Sequence, residues 1–212
     1  MAYEVEEDIM RSLILVLLSV FSFLGSAQAG NYILAVGGKL YDVNLGEEIS
    51  VPMDDGSFIK VRVDQKDYVA FQTDNYSFEH PSGFSPARTD LGDGIFQTMI
   101  ATPTGALVLV QEYMSMDPYG MVDMMIHELT KEEVEYGYKL TETGERMTIN
   151  GQMFTGKKVM SEYKGEVTER YVMTYSGRDS GLLIITNLND IHNAKDIELI
   201  EHFWQSINVT MR

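Results

Sequence analysis

Cysteine is absent from the 212-residue chain, and tryptophan occurs once. The first absence removes disulfides, thiolate metal sites and cysteine nucleophiles together. It also removes a lipid anchor, because acylation at a signal-peptide junction requires a cysteine there. Histidine is scarce, at four residues, and proline nearly so, at five. Positive charge is short as well: 16 lysines and arginines face 32 acidic residues, a net charge of −16. Such a surface repels phosphate backbones and anionic lipid, which disfavours nucleic acid and acidic membranes as partners. A basic or cationic partner suits it better. No apolar run reaches the roughly 20 residues of a spanning helix.

The longest run, LILVLLSVFSFL over Leu13–Leu24, has instead the length of a signal-peptide h-region. Gly25 and Ser26 break it, and Ala27-Gln28-Ala29 supplies a small-x-small cleavage site. Glu4, Glu6, Glu7 and Asp8 sit where a basic flank belongs, whereas Met10-Arg11 restores the basic start. The sequence therefore predicts a signal peptide over residues 1–29, with Met1 or Met10 as its start, and a periplasmic or secreted product with no membrane span after cleavage. The mature chain keeps 28 acidic and 15 basic residues, or −13. The full chain's 44% hydrophobic and 23% charged composition is that of a globular protein.

Residues 30–74 read as a β extension. Ile49, Val51 and Met53 alternate with polar residues, Asp55-Gly56 marks a hairpin turn, and Ile59, Val61 and Val63 alternate again. The hairpin at 48–64 carries Lys60 and Arg62, a basic pair on an acidic chain and the candidate contact for a partner. The main domain, 75–212, is predicted to hold strands at Ile95–Thr102, Ala106–Val110, Glu145–Ile149, Gln152–Met160, Val167–Tyr175 and Leu182–Leu188. Asn150-Gly151 is the strongest turn signal among them. A helix follows an Asp117 cap with Pro118 in its first turn. Val122, Met125, Ile126 and Leu129 make its apolar face, and Gly137 ends it. A last helix after Asn193 buries Ile197, Ile200, Trp204 and Ile207. The fold class is α+β: an antiparallel sheet of about six strands with helices packed against it, plus the N-terminal β-hairpin extension. Both apolar stripes are expected on one face of the sheet, with Trp204 the largest contributor.

Tyr76-Ser77-Phe78-Glu79-His80-Pro81-Ser82-Gly83-Phe84 resembles the opening signature of PsbP-like domains, an extended Y-S-F segment running into P-x-G and an aromatic residue. The helix after the second strand, the central hairpins and Phe203-Trp204-Gln205-Ser206-Ile207 in the last helix are similar to that family too. The resemblance covers about residues 75–209. It implies an antiparallel sheet with packed helices and a role as a binding or assembly factor, and it carries no catalytic residues over. The missing cysteine after Ala29 and the added hairpin depart from the family, and the simple signal peptide points to a bacterial envelope.

Chemistry-bearing motifs are sparse. Gly177-Arg178-Asp179-Ser180-Gly181 is similar to the nucleophile turn of serine proteases, but no histidine stands in a matching context, so it reads as a polar turn. Met114, Met116, Met121 and Met124, with His127 nearby, form a soft-ligand cluster that suits monovalent copper, against the alternative of adaptable core packing. Asp123 and His127 share one helix face at i, i+4. The acidic turns at Asp54-Asp55-Gly56 and Asp90–Gly94 lack the ligand count of a calcium loop. No cofactor motif is found. The expectation is an exported non-enzymatic binding or assembly factor whose partner is another envelope protein. The alternatives are a copper carrier using the methionines and a hydrolase with an unrecognised carboxylate pair.

Overall fold

The computed structural model describes residues 32–189, 191 and 193–211. The expected signal peptide, its cleavage site and His192 lie outside the described residues. The chain divides between Gln65 and Lys66 into two compact units.

Among its described residues the first unit contains two hairpins. β1 (Tyr32–Val36) pairs antiparallel with β2 (Lys39–Val43). β3 (Glu48–Pro52) pairs with β4 (Phe58–Arg62), with Val51 opposite Ile59 and Ile49 opposite Val61. The second hairpin is the one the alternation predicts. Its turn is fastened by Asp55, whose carboxylate accepts from Ser57 N at 2.9 Å and Ser57 Oγ at 2.6 Å. These bonds hold the Asp55 carboxyl below its usual pKa. Val43 and Val51 are buried.

The second unit begins with β5 (Tyr68–Gln72), which the sequence reading assigns to the extension. It pairs with β6 (Tyr76–Pro81), and β6 pairs on its other side with β14 (Asn208–Val209). The principal sheet has seven strands rather than about six. They are β7 (Ala87–Gly92), β8 (Ile95–Ala101), β9 (Leu107–Tyr113), β10 (Lys139–Ile149), β11 (Gln152–Tyr163), β12 (Glu166–Ser176) and β13 (Gly181–Leu188). Their order is β10-β11-β12-β13-β9-β8-β7, antiparallel throughout. The added strand is β7, an edge strand whose residues are all exposed. With no buried side it offers no hydrophobic alternation to read.

Asp117 caps a 3₁₀ turn, Pro118–Met121, which leads into α1 (Val122–Tyr136). Asn193 caps α2 (Ala194–Ser206), its side chain accepting from Lys195 N and Asp196 N. The helices do not share a face of the sheet. Leu182 and Ile184 of β13 pack with Leu199, Ile200 and Phe203 of α2, whereas Leu183 and Ile185 pack with Val122 and Ile126 of α1. Successive strand residues point to opposite faces, so α1 and α2 cover opposite sides. That explains the unbroken apolar runs of β9 and β13, which are buried on both faces. The stripe on α2 is also rotated from the predicted one. Leu199 and Phe203 are fully buried, while Ile197 and Trp204 are only partly so. The reason is β6: Phe78 meets the Phe203 ring edge-on at 5.1 Å. Trp204 stands at the margin, its Nε1 donating to Thr186 Oγ1 at 3.3 Å. No helix among the described residues is long and apolar enough to cross a membrane.

Candidate functional site

A cleft of about 640 Å³ lies where α1 ends, and Glu133, Tyr138, Glu166, Thr168 and Asn189 line it. Each wall is placed by local chemistry. Gly137 closes α1 at φ 102°, a left-handed conformation that favours glycine. Its N–H donates to the carbonyls of Glu133 and Val134, and Tyr138 N donates to Glu133 O at 2.9 Å. The chain is thereby turned so that the Tyr138 ring stacks on Tyr163 at 5.0 Å and 25°. Tyr136 meets Tyr163 edge-on at 5.1 Å. The three rings form one cluster, and Tyr136 is 68% exposed.

Glu133, near the end of α1, is fixed by a fork. Arg170 Nη1 donates to Glu133 Oε2 at 2.8 Å and Nη2 to Oε1 at 2.5 Å. Ser161 Oγ donates to Oε2 at 2.7 Å and accepts from Arg170 Nη1 at 2.8 Å. The Arg170 side chain is only 9% exposed, so a bidentate ion pair ties the helix end to β11 and β12.

The β11–β12 turn forms another wall. Lys164 and Gly165 both adopt positive φ, 52° and 88°, as a two-residue hairpin turn of this hand requires. Lys164 Nζ sits 4.8 Å from the centre of the Tyr163 ring. Asn189 completes the frame. Asn187 Nδ2 donates both to Asn189 Oδ1 at 2.7 Å and to Gly105 O at 2.9 Å. Gly105, at φ 94°, leaves room for this: a Cβ there would lie 2.2 Å from Asn189 Nδ2.

The residues singled out from sequence are scattered. Met114 is exposed in a second cleft with Arg178, Asp179 and Ser180, and its sulfur accepts from Asn75 Nδ2 at 3.3 Å. Met116 and Met124 are exposed, and Met121 packs against the core on the α1 side. His127 lines a third cleft with Asp123, Glu142 and Lys157. There Asp123 and Glu142 both hold Lys157, at 2.8 and 2.9 Å, and these bonds raise the lysine pKa. Met114 and His127 thus belong to different clefts. Among the described residues, no three histidine, aspartate or glutamate groups converge as metal ligands. Lys60 pairs with Glu48 at 2.6 Å and Arg62 with Asp64 at 2.8 Å, all of them on the surface. The turn Gly177–Ser180 is closed by Gly177 N donating to Ser180 O at 2.8 Å.

The cleft at the end of α1 escapes the sequence reading because its walls come from three separate segments. The available signal is Tyr-Gly-Tyr at 136–138, just past the helix, and Tyr-Lys-Gly-Glu at 163–166 between two alternating runs.

No protein-family model matches the sequence, and no curated protein is significantly similar to it. Among solved structures, the chain is similar to a protein from Bacteroides thetaiotaomicron VPI-5482, with 12% identity, a TM-score of 0.37, and coverage of 63% of this chain and 44% of that one. It is also similar to cyanobacterial PsbP (CyanoP) from Synechocystis sp. PCC 6803, with 13% identity, a TM-score of 0.43, and coverage of 68% and 92%. The chain thus spans less than half the length of the Bacteroides protein. At this degree of overlap these likenesses do not assign the chain to a family.

Proposed function

We propose that the chain is an exported, non-enzymatic binding or assembly factor of the bacterial envelope, and that its partner, a second envelope protein, docks at the cleft beside α1. The observation that supports this reading is the fixed frame of the cleft. Glu133 is clamped by Arg170 and Ser161, Tyr138 is stacked on Tyr163, and Asn189 is held by Asn187. Walls immobilised before a ligand arrives reduce the ordering cost of binding. The envelope assignment rests on the apolar run at 13–24 and the Ala27-Gln28-Ala29 site.

A photo-crosslinking amino acid at Glu166, expressed in the native envelope, tests the reading. A discrete adduct is expected, and it should be lost in Tyr138→Ala. An identical adduct pattern from a crosslinker at the exposed Glu201 would remove the cleft from the account. A broad hydrolase screen bears on the other half of the proposal. Turnover that a cleft substitution abolishes would overturn the non-enzymatic reading.

A further inference from the structure

The chemistry of the cleft has a sign. The segments that build it, 128–139 and 161–170, carry seven acidic side chains and four basic ones. α1 directs the negative end of its dipole toward this end, yet its last turn has no basic residue. Glu132, Glu133 and Glu135 stand there instead, the placement that helix electrostatics disfavours. Of these, Glu133 is neutralised by Arg170.

Two hairpin turns of the same sheet share one geometry. Asn150-Gly151 adopts φ 52° and 77°, and Lys164-Gly165 adopts φ 52° and 88°. Asparagine enters this left-handed region readily, whereas lysine does so at a conformational cost. The unfavourable residue delivers an ammonium onto the Tyr163 ring, in cation–π range at 4.8 Å. The cluster Tyr136–Tyr138–Tyr163 therefore already holds a cation on a tether, beside a carboxylate-lined cleft.

We infer that this cleft receives a basic segment of a partner polypeptide, its lysine or arginine side chains lying against the tyrosine cluster and Glu166 where Lys164 is the intramolecular stand-in. The inference rests on the cleft being the docking surface. The mature chain's 28 acidic against 15 basic residues, a net charge of −13, supply long-range attraction for such a partner.

The test is titration of the mature protein with tetralysine, tetraarginine, tetraglutamate and tetraalanine peptides, followed by backbone amide shifts. The basic peptides should bind saturably, with the largest shifts at Gly137, Tyr138 and Gly165, and the other two should not. Glu166→Gln and Tyr138→Ala should each weaken binding about fivefold. Lys164→Asn, which suits the turn and removes the competing ammonium, should tighten it. Glu201→Gln makes the same change in net charge on the exposed side of α2 and should leave affinity unaltered. Equal weakening by Glu201→Gln, shifts spread away from the cleft, weaker binding by Lys164→Asn, or no preference for the basic peptides would each overturn the inference. Tyr138→Phe and Glu166→Gln keep the test decisive should Tyr138→Ala fail to fold. A crosslinked partner captured at Glu166 through a segment lacking lysine and arginine would leave the docking reading standing and remove this one.

Discussion

Removing the Arg170 guanidinium should destabilise the main unit by about 3 kcal/mol. The guanidinium is 9% exposed and its partner Glu133 21% exposed, joined by two parallel bonds. Deleting one member of a fully buried pair costs about 3–5 kcal/mol, because the other charge is left without compensation. Glu133 keeps the Ser161 hydroxyl and some contact with water, which places Arg170→Met at the low end. At about 2–4 °C per kcal/mol for a chain of this size, the melting midpoint should fall by roughly 6–12 °C. Replacing both partners, Arg170→Met with Glu133→Leu, removes both desolvation penalties and should return stability to within about 1 kcal/mol of the parent. Urea unfolding followed by Trp204 emission closes the double-mutant cycle. A loss below about 1 kcal/mol for Arg170→Met, or strictly additive single changes, would refute the clamp.

Tyr76 is buried with its hydroxyl donating to Thr98 Oγ1 at 2.7 Å, and burial raises its pKa above the ordinary value of about 10. Its folded form is held protonated, so its contribution is complete below about pH 10 and is lost as pH rises beyond that. Tyr76→Phe should flatten this alkaline decline in a pH series of denaturant midpoints. An unchanged slope would contradict the assignment. Gly105→Ala should cost roughly 1–3 kcal/mol, from its left-handed backbone, and should displace the Asn189 side chain. Side-chain amide resonances of Asn189 that stay in place would exclude that. Phe203→Ala should cost about 3–5 kcal/mol, and Trp204→Ala clearly less, as measured by thermal unfolding. The reverse ranking would restore the tryptophan to the core.

Much of the architecture was legible because hairpin chemistry is local. Asn150-Gly151 and the runs on either side of it contain the information for β10 and β11, and the two caps, Asp117 and Asn193, mark where the helical segments start. Tertiary relations were harder to read. The periodicity of α2 fits a stripe through Trp204 almost as well as one through Phe203, and only Phe78, more than a hundred residues earlier, decides between them. A continuous apolar strand shows that both faces are covered, as Ala106–Val110 did, but not which helix covers which. The candidate site lay further out of reach. Its tyrosines carry no signal of their own in the sequence until Gly137 and the Lys164-Gly165 turn bring them together. The methionines had the opposite fate: close in sequence, they are divided between one cleft, the open surface and the core.

The sheet is two meanders, β7-β8-β9 and β10-β11-β12-β13, joined by a single ladder between β9 and β13. Each meander is built from neighbouring hairpins, which close on a microsecond timescale. The joining ladder has no such advantage. It must bring Val110 to Ile184 across the whole of α1 and three intervening strands, and that loop-closure entropy has to be overcome before any of its contacts form. On loop length alone it is the last ladder of this sheet to close. Leu182 to Ile185 lie in that ladder and contribute to both cores at once, so until it zips neither helix has a finished surface on which to settle.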